Sequence, residues 1–371
     1  MSSDATDILG TFEANGKGGG FLRSAQRNYA IHPADPRVGP DVVKRYGLCG
    51  GETVVGAGRQ GTKRRAPELA EIESINGKPA DEYLERIPFA DLTAVDPSSP
   101  VRFEIEGGSP SMRVVDLMTP IGFGQRGLIV AAPRTGKTVL LQQMAAGVAA
   151  NHPGVYMMVL LIDERPEEVT EMRRSVHGEV VASCNDHDVA SHVRIARLMI
   201  EKAKRHVECG EDVFVLLDSL TRLGRAFNAA VRNSGRIMSG GLDIRALQEP
   251  KAIFGAARKI ENGGSLTIIA SALIETGSRM DEVIFNEFKG TGNMEIMLSR
   301  DLANLRIWPA IDLNQSGTRK EELLLSPEAL EQSYRIRRTL SSRPPAQAME
   351  QLLDALGKHP NNRAFIASVA K

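Results

Sequence analysis

The segment Ala131-Ala132-Pro133-Arg134-Thr135-Gly136-Lys137-Thr138 places a glycine, a lysine and a hydroxyl in the order that a phosphate-binding loop uses. Gly136 lets backbone N–H groups turn inward around a phosphate, and the N-terminus of a following helix adds its dipole. Lys137 would reach the β- and γ-phosphates of a nucleotide such as ATP, and Thr138 would bind Mg²⁺. Pro133, Arg134, Thr135, Gly136, Lys137, Thr138 and Val139 are therefore the candidate nucleotide contacts, with Ala131 standing where the pattern has its first glycine. Two carboxylates complete the chemistry. Asp218 ends the apolar run Val213-Phe214-Val215-Leu216-Leu217, where a negative charge is unwelcome without a cation. It is the candidate for the magnesium shell, and with Ser219 it also reads as a helix N-cap, a role that other oxygens can fill. Glu164, in Leu160-Leu161-Ile162-Asp163-Glu164-Arg165, can orient and deprotonate an attacking water, and it reads equally as a solvated loop acid.

Such groups need strands that end together. The run 127–132 leads into the loop, and Thr138 to Ala150 is dense in helix formers. The runs 155–162, 213–217 and 266–272 are nearly continuous in apolar residues, as strands buried on both faces are. Helical stretches such as 189–207 separate them, so a parallel α/β sheet is expected over 113–371, with helices from Pro327 onward. Residues 1–90 are rich in glycine and short apolar alternations, which predicts a small β-barrel. Asp96-Pro97-Ser98-Ser99-Pro100 and Gly107-Gly108-Ser109-Pro110 bracket a connector over 91–112.

A chain of 371 residues with 42% hydrophobic side chains can hold two domains, each with its own core. No run of eighteen apolar residues offers a membrane span. Met1 to Gly10 lacks the pattern of a secretory signal. Cys49, Cys184 and Cys209 are too few and too widely spaced for a disulfide framework, so a reducing, cytoplasmic setting is expected. Lysine plus arginine and aspartate plus glutamate balance at 46 each, so any nucleic-acid contact has to come from local clusters.

Several blocks together resemble the family of transcription termination factor Rho. These are 160–172, Gly263-Gly264-Ser265-Leu266-Thr267-Ile268-Ile269-Ala270, 281–284, 287–295 and Ser316-Gly317-Thr318-Arg319-Lys320-Glu321-Glu322-Leu323-Leu324. The resemblance is strong over about 110–325 and weaker over 8–90. It implies a RecA-like ATPase domain behind an OB-fold, cold-shock-like barrel. It also implies a homohexameric ring with ATP at the subunit boundaries, single-stranded RNA in the central hole, and a transcribing RNA polymerase as the target. Glu164 matches the water-activating glutamate, Arg165 an arginine beside the nucleotide, Arg319 the finger donated to a neighbour's ATP and Arg306 a second boundary arginine. Trp308 falls where the family stacks an aromatic on adenine. Arg236, Ser239, Gly240 and Gly241 resemble one loop facing the hole, and Arg279, where the family has lysine, a second; Lys289 is a third candidate contact. Read without the family, the glycines are surface turns and Arg319 a solvated loop arginine.

Gly20-Phe21-Leu22-Arg23-Ser24 resembles the heart of the family's RNA-capturing barrel, which works by stacking bases beside a basic groove. Phe21 and Arg23 are kept, and Phe21 reads equally as barrel packing. Gly19 and Arg37 stand where two further aromatics are expected. Lys63, Arg64 and Arg65 can replace charge there but not stacking. A rotary or export motor of the same ATPase class, or a non-catalytic RNA-binding relic, are the competing readings.

Overall fold

Residues 5–59, 66–231 and 237–369 are described by a computed structural model. By contacts the chain divides into two units: Met1–Thr93 with Arg194–Glu211 and Glu261–Gly264, and Ala94–Val193 with Asp212–Ile260 and Ser265–Lys371.

In the first unit, strands β1 (Ala5–Ala14), β2 (Gly20–Arg23), β3 (Arg37–Val38), β4 (Thr53–Arg59) and β5 (Glu68–Ile75) run in the order β3-β2-β1-β4-β5. A pairing of β3 with β5 closes them into a barrel, and β6 (Lys78–Pro79) extends β5. Alternation along β4 turns every second residue inward. Val54 thereby joins Phe12, Leu22, Leu69 and Ile75 in the barrel core. Gly20 is required here, because a Cβ would sit 2.4 Å from the Phe12 ring and 2.2 Å from the Glu13 carbonyl oxygen.

In the second unit, β7 (Arg126–Ala131), β8 (Tyr156–Glu164), β9 (Glu179–Cys184), β10 (Asp212–Asp218), β11 (Ser265–Leu273) and β12 (Met294–Leu298) form a parallel sheet ordered β9-β8-β10-β11-β7-β12. The short strand β13 (Gly317–Thr318) adds antiparallel to β12. The runs expected as strands are strands, and their side chains are buried on both faces: Ile129, Val159, Leu216 and Ile269 share one core with Leu141 and Met144 of the helix α1 (Lys137–Asn151). Three further helices matter below: α2 (Leu220–Ala230), α3 (Arg279–Phe288) and α4 (Pro327–Leu340). The stretch 91–112 is tied down at several points. Ala94–Val95 pairs with Arg258–Ile260, Pro100–Val101 pairs with Ile121–Gly122, and Pro110 opens a helix running to Met118. Among the described residues no helix is long and apolar enough to cross a membrane, and no cluster of His, Cys, Asp and Glu suits a metal ion. The parallel arrangement brings the carboxyl ends of β7, β8 and β10 to one edge, where ligands of such sheets bind.

Candidate active site

At that edge β7 runs into the loop 132–136 and α1 begins at Lys137. Gly136 holds φ at +83°, a conformation that favours glycine, and Thr135 Oγ1 donates to the Ala132 carbonyl at 2.7 Å, tightening the loop. Lys137 Nζ reaches across to Asp218 Oδ1 at 2.5 Å and to Glu164 Oε1 at 3.6 Å. Ser271 Oγ donates to the same Asp218 oxygen at 2.7 Å. Asp218 therefore faces the loop, while Ser219, its neighbour, takes the capping role at the start of α2.

Glu164 is only 2% exposed, and neither of its carboxylate oxygens has a hydrogen-bond partner among the described residues. Burial first, and the charge of Asp218 second, push its carboxyl up to about 7, against the pull of Lys137 and Arg222. The solvated-loop reading of this residue is thereby excluded. A buried carboxylate with open acceptor sites beside a lysine and an aspartate is chemically suited to hold and deprotonate a water. Two buried acids, one lysine and a hydroxyl at Thr138 also fit a magnesium–triphosphate complex. Its cation would face Asp218 and Thr138, and its phosphates the loop amides and Lys137.

Beside the loop lies a cavity of about 270 Å³ whose walls include Thr135, Gly136, Val139, Leu140, Gln143 and Trp308. Trp308 packs so closely on Gly136 that a Cβ there would meet its ring at 2.6 Å. The indole remains 40% exposed, and the largely apolar slot suits a flat base held by stacking. Pro133 and Arg134 on the loop and Val139 on α1 are exposed, and Arg134 adopts a φ of +68°.

Sequence reading missed α2 as part of the site. Arg222, Arg225 and Asn228 recur at intervals of three and so share one face of that helix. Arg222 Nη2 lies 3.3 Å from Glu164 Oε2. One turn on, Arg225 makes a bidentate pair with Asp281 of α3, its Nε at 2.7 Å and its Nη2 at 2.5 Å. The next turn brings Asn228 Nδ2 to the Gly241 carbonyl at 3.2 Å, while its Oδ1 accepts from Asp243 N at 2.8 Å. Ser239, Gly240 and Gly241 thus pack beside Arg279 and Met280; a Cβ on Gly240 would lie 2.7 Å from the Met280 nitrogen. One helix joins Glu164 to both glycine-bearing loops. Polar residues three apart on a helix ordinarily mark a solvated face, which is why the pattern carried no signal. Arg279 and Lys289 are exposed at either end of α3, and Arg236 lies outside the described residues.

Arg165, Arg306 and Arg319 are all exposed, and none has an ion-pair partner among the described residues. The backbone of Arg319 is nevertheless held, its N–H donating to the Asn293 carbonyl at 2.8 Å next to the β12–β13 ladder.

On the barrel, Phe21 is half-buried with the Arg23 guanidinium 4.9 Å from its ring centroid. Arg23 is only 6% exposed: its Nε donates to Glu13 at 2.5 Å and its Nη1 to Asp35 at 2.6 Å. Its charge is paired internally, and its guanidinium lies against the Phe21 ring. Asp35, held well below the usual carboxylate range by Arg23, Arg27 and the His32 amide against the opposing effect of burial, stays ionised in that pairing. Arg37 is exposed at the position paired with Phe21 across the β2–β3 ladder. Lys63, Arg64 and Arg65 lie outside the described residues.

The chain matches the RNA-binding domain of the Rho termination factor over residues 8–81 and the nucleotide-binding domain of the ATP synthase alpha/beta family over 111–318. A Rho from Rhodopirellula baltica is 50% identical over 365 residues, covering 97% of this chain and 71% of the relative. Those of Cereibacter sphaeroides and Aquifex aeolicus are each 50% identical, covering 97% and 98% of this chain and 86% and 84% of theirs. Among solved structures, a type III secretion ATPase superposes with a TM-score of 0.59 at 23% identity, covering 76% of this chain and 77% of its own. The assembled secretion ATPase EscN of enteropathogenic E. coli superposes at 0.58 and 22% identity, covering 76% and 65%. At such identity these two share the fold alone. With near-complete coverage at half identity, and a barrel and an ATPase domain that both match, the chain belongs to the transcription termination factor Rho family.

Proposed function

We propose that this protein is an RNA-dependent ATPase that draws single-stranded RNA through a homohexameric ring in the 5′–3′ direction and so dislodges a transcribing RNA polymerase in the cytoplasm. The observation that carries the reading is the buried carboxylate of Glu164, whose oxygens accept no hydrogen bond among the described residues, with Lys137 on one side and Arg222 on the other. Lys137 and the loop amides bind the β- and γ-phosphates of ATP, and Trp308 stacks on the base. Thr138 and Asp218 would hold a magnesium ion, which when bound would neutralise phosphate charge. Glu164 takes the proton of the attacking water, and its open oxygens leave room for that water. Arg319, with Arg306 as a second arginine at the boundary, acts on the ATP of the adjacent subunit, which accounts for an exposed guanidinium on a fixed backbone.

Helix α2 links this chemistry to RNA. A change of charge at Glu164 is felt by Arg222, and the same helix carries Arg225 and Asn228 to the loops bearing Gly240 and Arg279. Those loops grip the RNA backbone through Arg236 and Arg279, with Lys289 as a third contact and the glycines allowing close approach.

The test is displacement of a DNA strand annealed to the 3′ part of an RNA with a long single-stranded 5′ tail. ATP-dependent release is expected. Glu164→Gln is expected to bind ATP normally but release no DNA, since the amide keeps the size and cannot accept the proton. Release by that variant would remove Glu164 from the mechanism, and no release by the native chain would contradict the reading.

Phe21→Ala is expected to weaken binding of a short pyrimidine-rich RNA to the nucleotide-free protein by about 1–3 kcal/mol, the worth of one stacked base. Unchanged affinity in a fluorescence titration would return Phe21 to barrel packing.

A further inference from the structure

We propose that Arg337, on the C-terminal helix α4, is the positioning residue for Arg319. The inference rests on the reading of Arg319 as a finger acting on the neighbouring subunit's ATP.

The chain reaches Arg319 through an irregular segment beginning near Asp312, and such a segment needs external support to place a guanidinium with sub-ångström accuracy. Its front is held by β13 on β12 and by Thr318 Oγ1, which donates to the Pro120 carbonyl at 2.7 Å. Its back is held by Arg337. From one nitrogen, Nη1, this side chain donates to the carbonyls of Leu313 at 2.9 Å and Ser316 at 3.0 Å; from the other, Nη2, to the carbonyl of Met118. The Nη2 atom lies 3.9 Å from where a Cβ of Gly317 would stand, beside the strand that immediately precedes Arg319. One planar fork therefore ties the approach to the finger to the end of the 110–118 helix.

The chemistry argues for a placing role. Burial of the Arg337 guanidinium pulls its pKa down, partly offset by nearby Glu321. Glu321 has a buried oxygen with no hydrogen-bond partner among the described residues. Its own carboxyl is pushed up by burial. Half-burying such a charge for packing alone is unfavourable, and a leucine or methionine would fill the space at lower cost. The fork satisfies carbonyls from two separate segments at once, which a lysine ammonium cannot do in one plane.

The experiment is a double-mutant cycle on RNA-stimulated hydrolysis of labelled ATP, with ring assembly and thermal melting followed for each variant. Arg337→Lys is used alongside Arg337→Met so that a folded variant is available. Either substitution is expected to lower kcat at least tenfold with KM for ATP changed less than twofold, because the subunit's own nucleotide pocket is untouched. In the Arg319→Ala background neither is expected to lower kcat further. A multiplicative loss on top of Arg319→Ala would overturn the proposal while leaving the finger standing, as would normal kcat in a folded Arg337→Lys ring. An Arg319→Ala ring with normal kcat would instead overturn the finger reading itself.

Discussion

Lys137→Ala is expected to lower RNA-stimulated ATP turnover by about a thousandfold or more, the scale on which a preorganised charge at a transferring group acts. Among the described residues the lysine is also the one cation paired with both buried acids, Asp218 at 2.5 Å and Glu164 at 3.6 Å. Its removal leaves two carboxylates facing each other, a loss that costs on the order of 3–5 kcal/mol when a buried pair is broken. The nucleotide-free variant should therefore melt at a lower temperature than the native protein at neutral pH. The deficit should shrink on acidification, since a carboxyl such as Glu164, whose folded pKa is raised, contributes less stability as the pH climbs through it. RNA binding by the barrel should persist. Turnover near the native rate would show that Lys137 does not contact phosphate, and an unchanged melting curve would show that the acids do not need it.

Arg319→Ala is expected to reduce turnover by about 10³-fold or more, the range of an arginine finger, and to be rescued in trans. A ring of Arg319→Ala subunits has intact Lys137 sites without fingers, and a ring of Lys137→Ala subunits has fingers without sites. Refolding or exchanging the two together creates some boundaries with both parts. Mixed rings should hydrolyse ATP faster than either parent, with only partial rescue if several consecutive boundaries must be competent. The geometry behind this is an exposed side chain without an ion-pair partner among the described residues, on a backbone pinned to Asn293. A homogeneous Arg319→Ala ring with native turnover would contradict the finger.

Much of the architecture was legible because burial on both faces leaves a plain mark: the runs ending at Ile162, Leu217 and Ala272 are strands, and the loop at Gly136 sits between strand and helix. Asp218 and Glu164 stood out because each ends such a run. Other features left no mark. The strand Met294–Leu298 alternates buried and half-buried residues and was not among the runs expected as strands. Arg222, Arg225 and Asn228 are polar residues on a helix, and only the fold reveals that Glu164 and Asp281 face them. The partners of Arg23 left no mark either, since Glu13 and Asp35 lie ten and twelve residues away in sequence and only the fold brings them in. For the same reason the contact unit of the barrel takes in Arg194–Glu211: Arg194 reaches Glu13 at 3.0 Å and Lys202 reaches Tyr29 at 2.8 Å, links that no local pattern announces.

The central claim joins hydrolysis to RNA, and one assay addresses it directly: steady-state ATP hydrolysis by the full-length chain with and without single-stranded pyrimidine-rich RNA, at fixed magnesium and salt. Slow turnover alone and a rise of at least an order of magnitude with RNA are expected, the rise vanishing when Arg225→Ala breaks the link from α2 to Asp281. Turnover that is the same with and without RNA would contradict the account and leave a ring ATPase driven by something else.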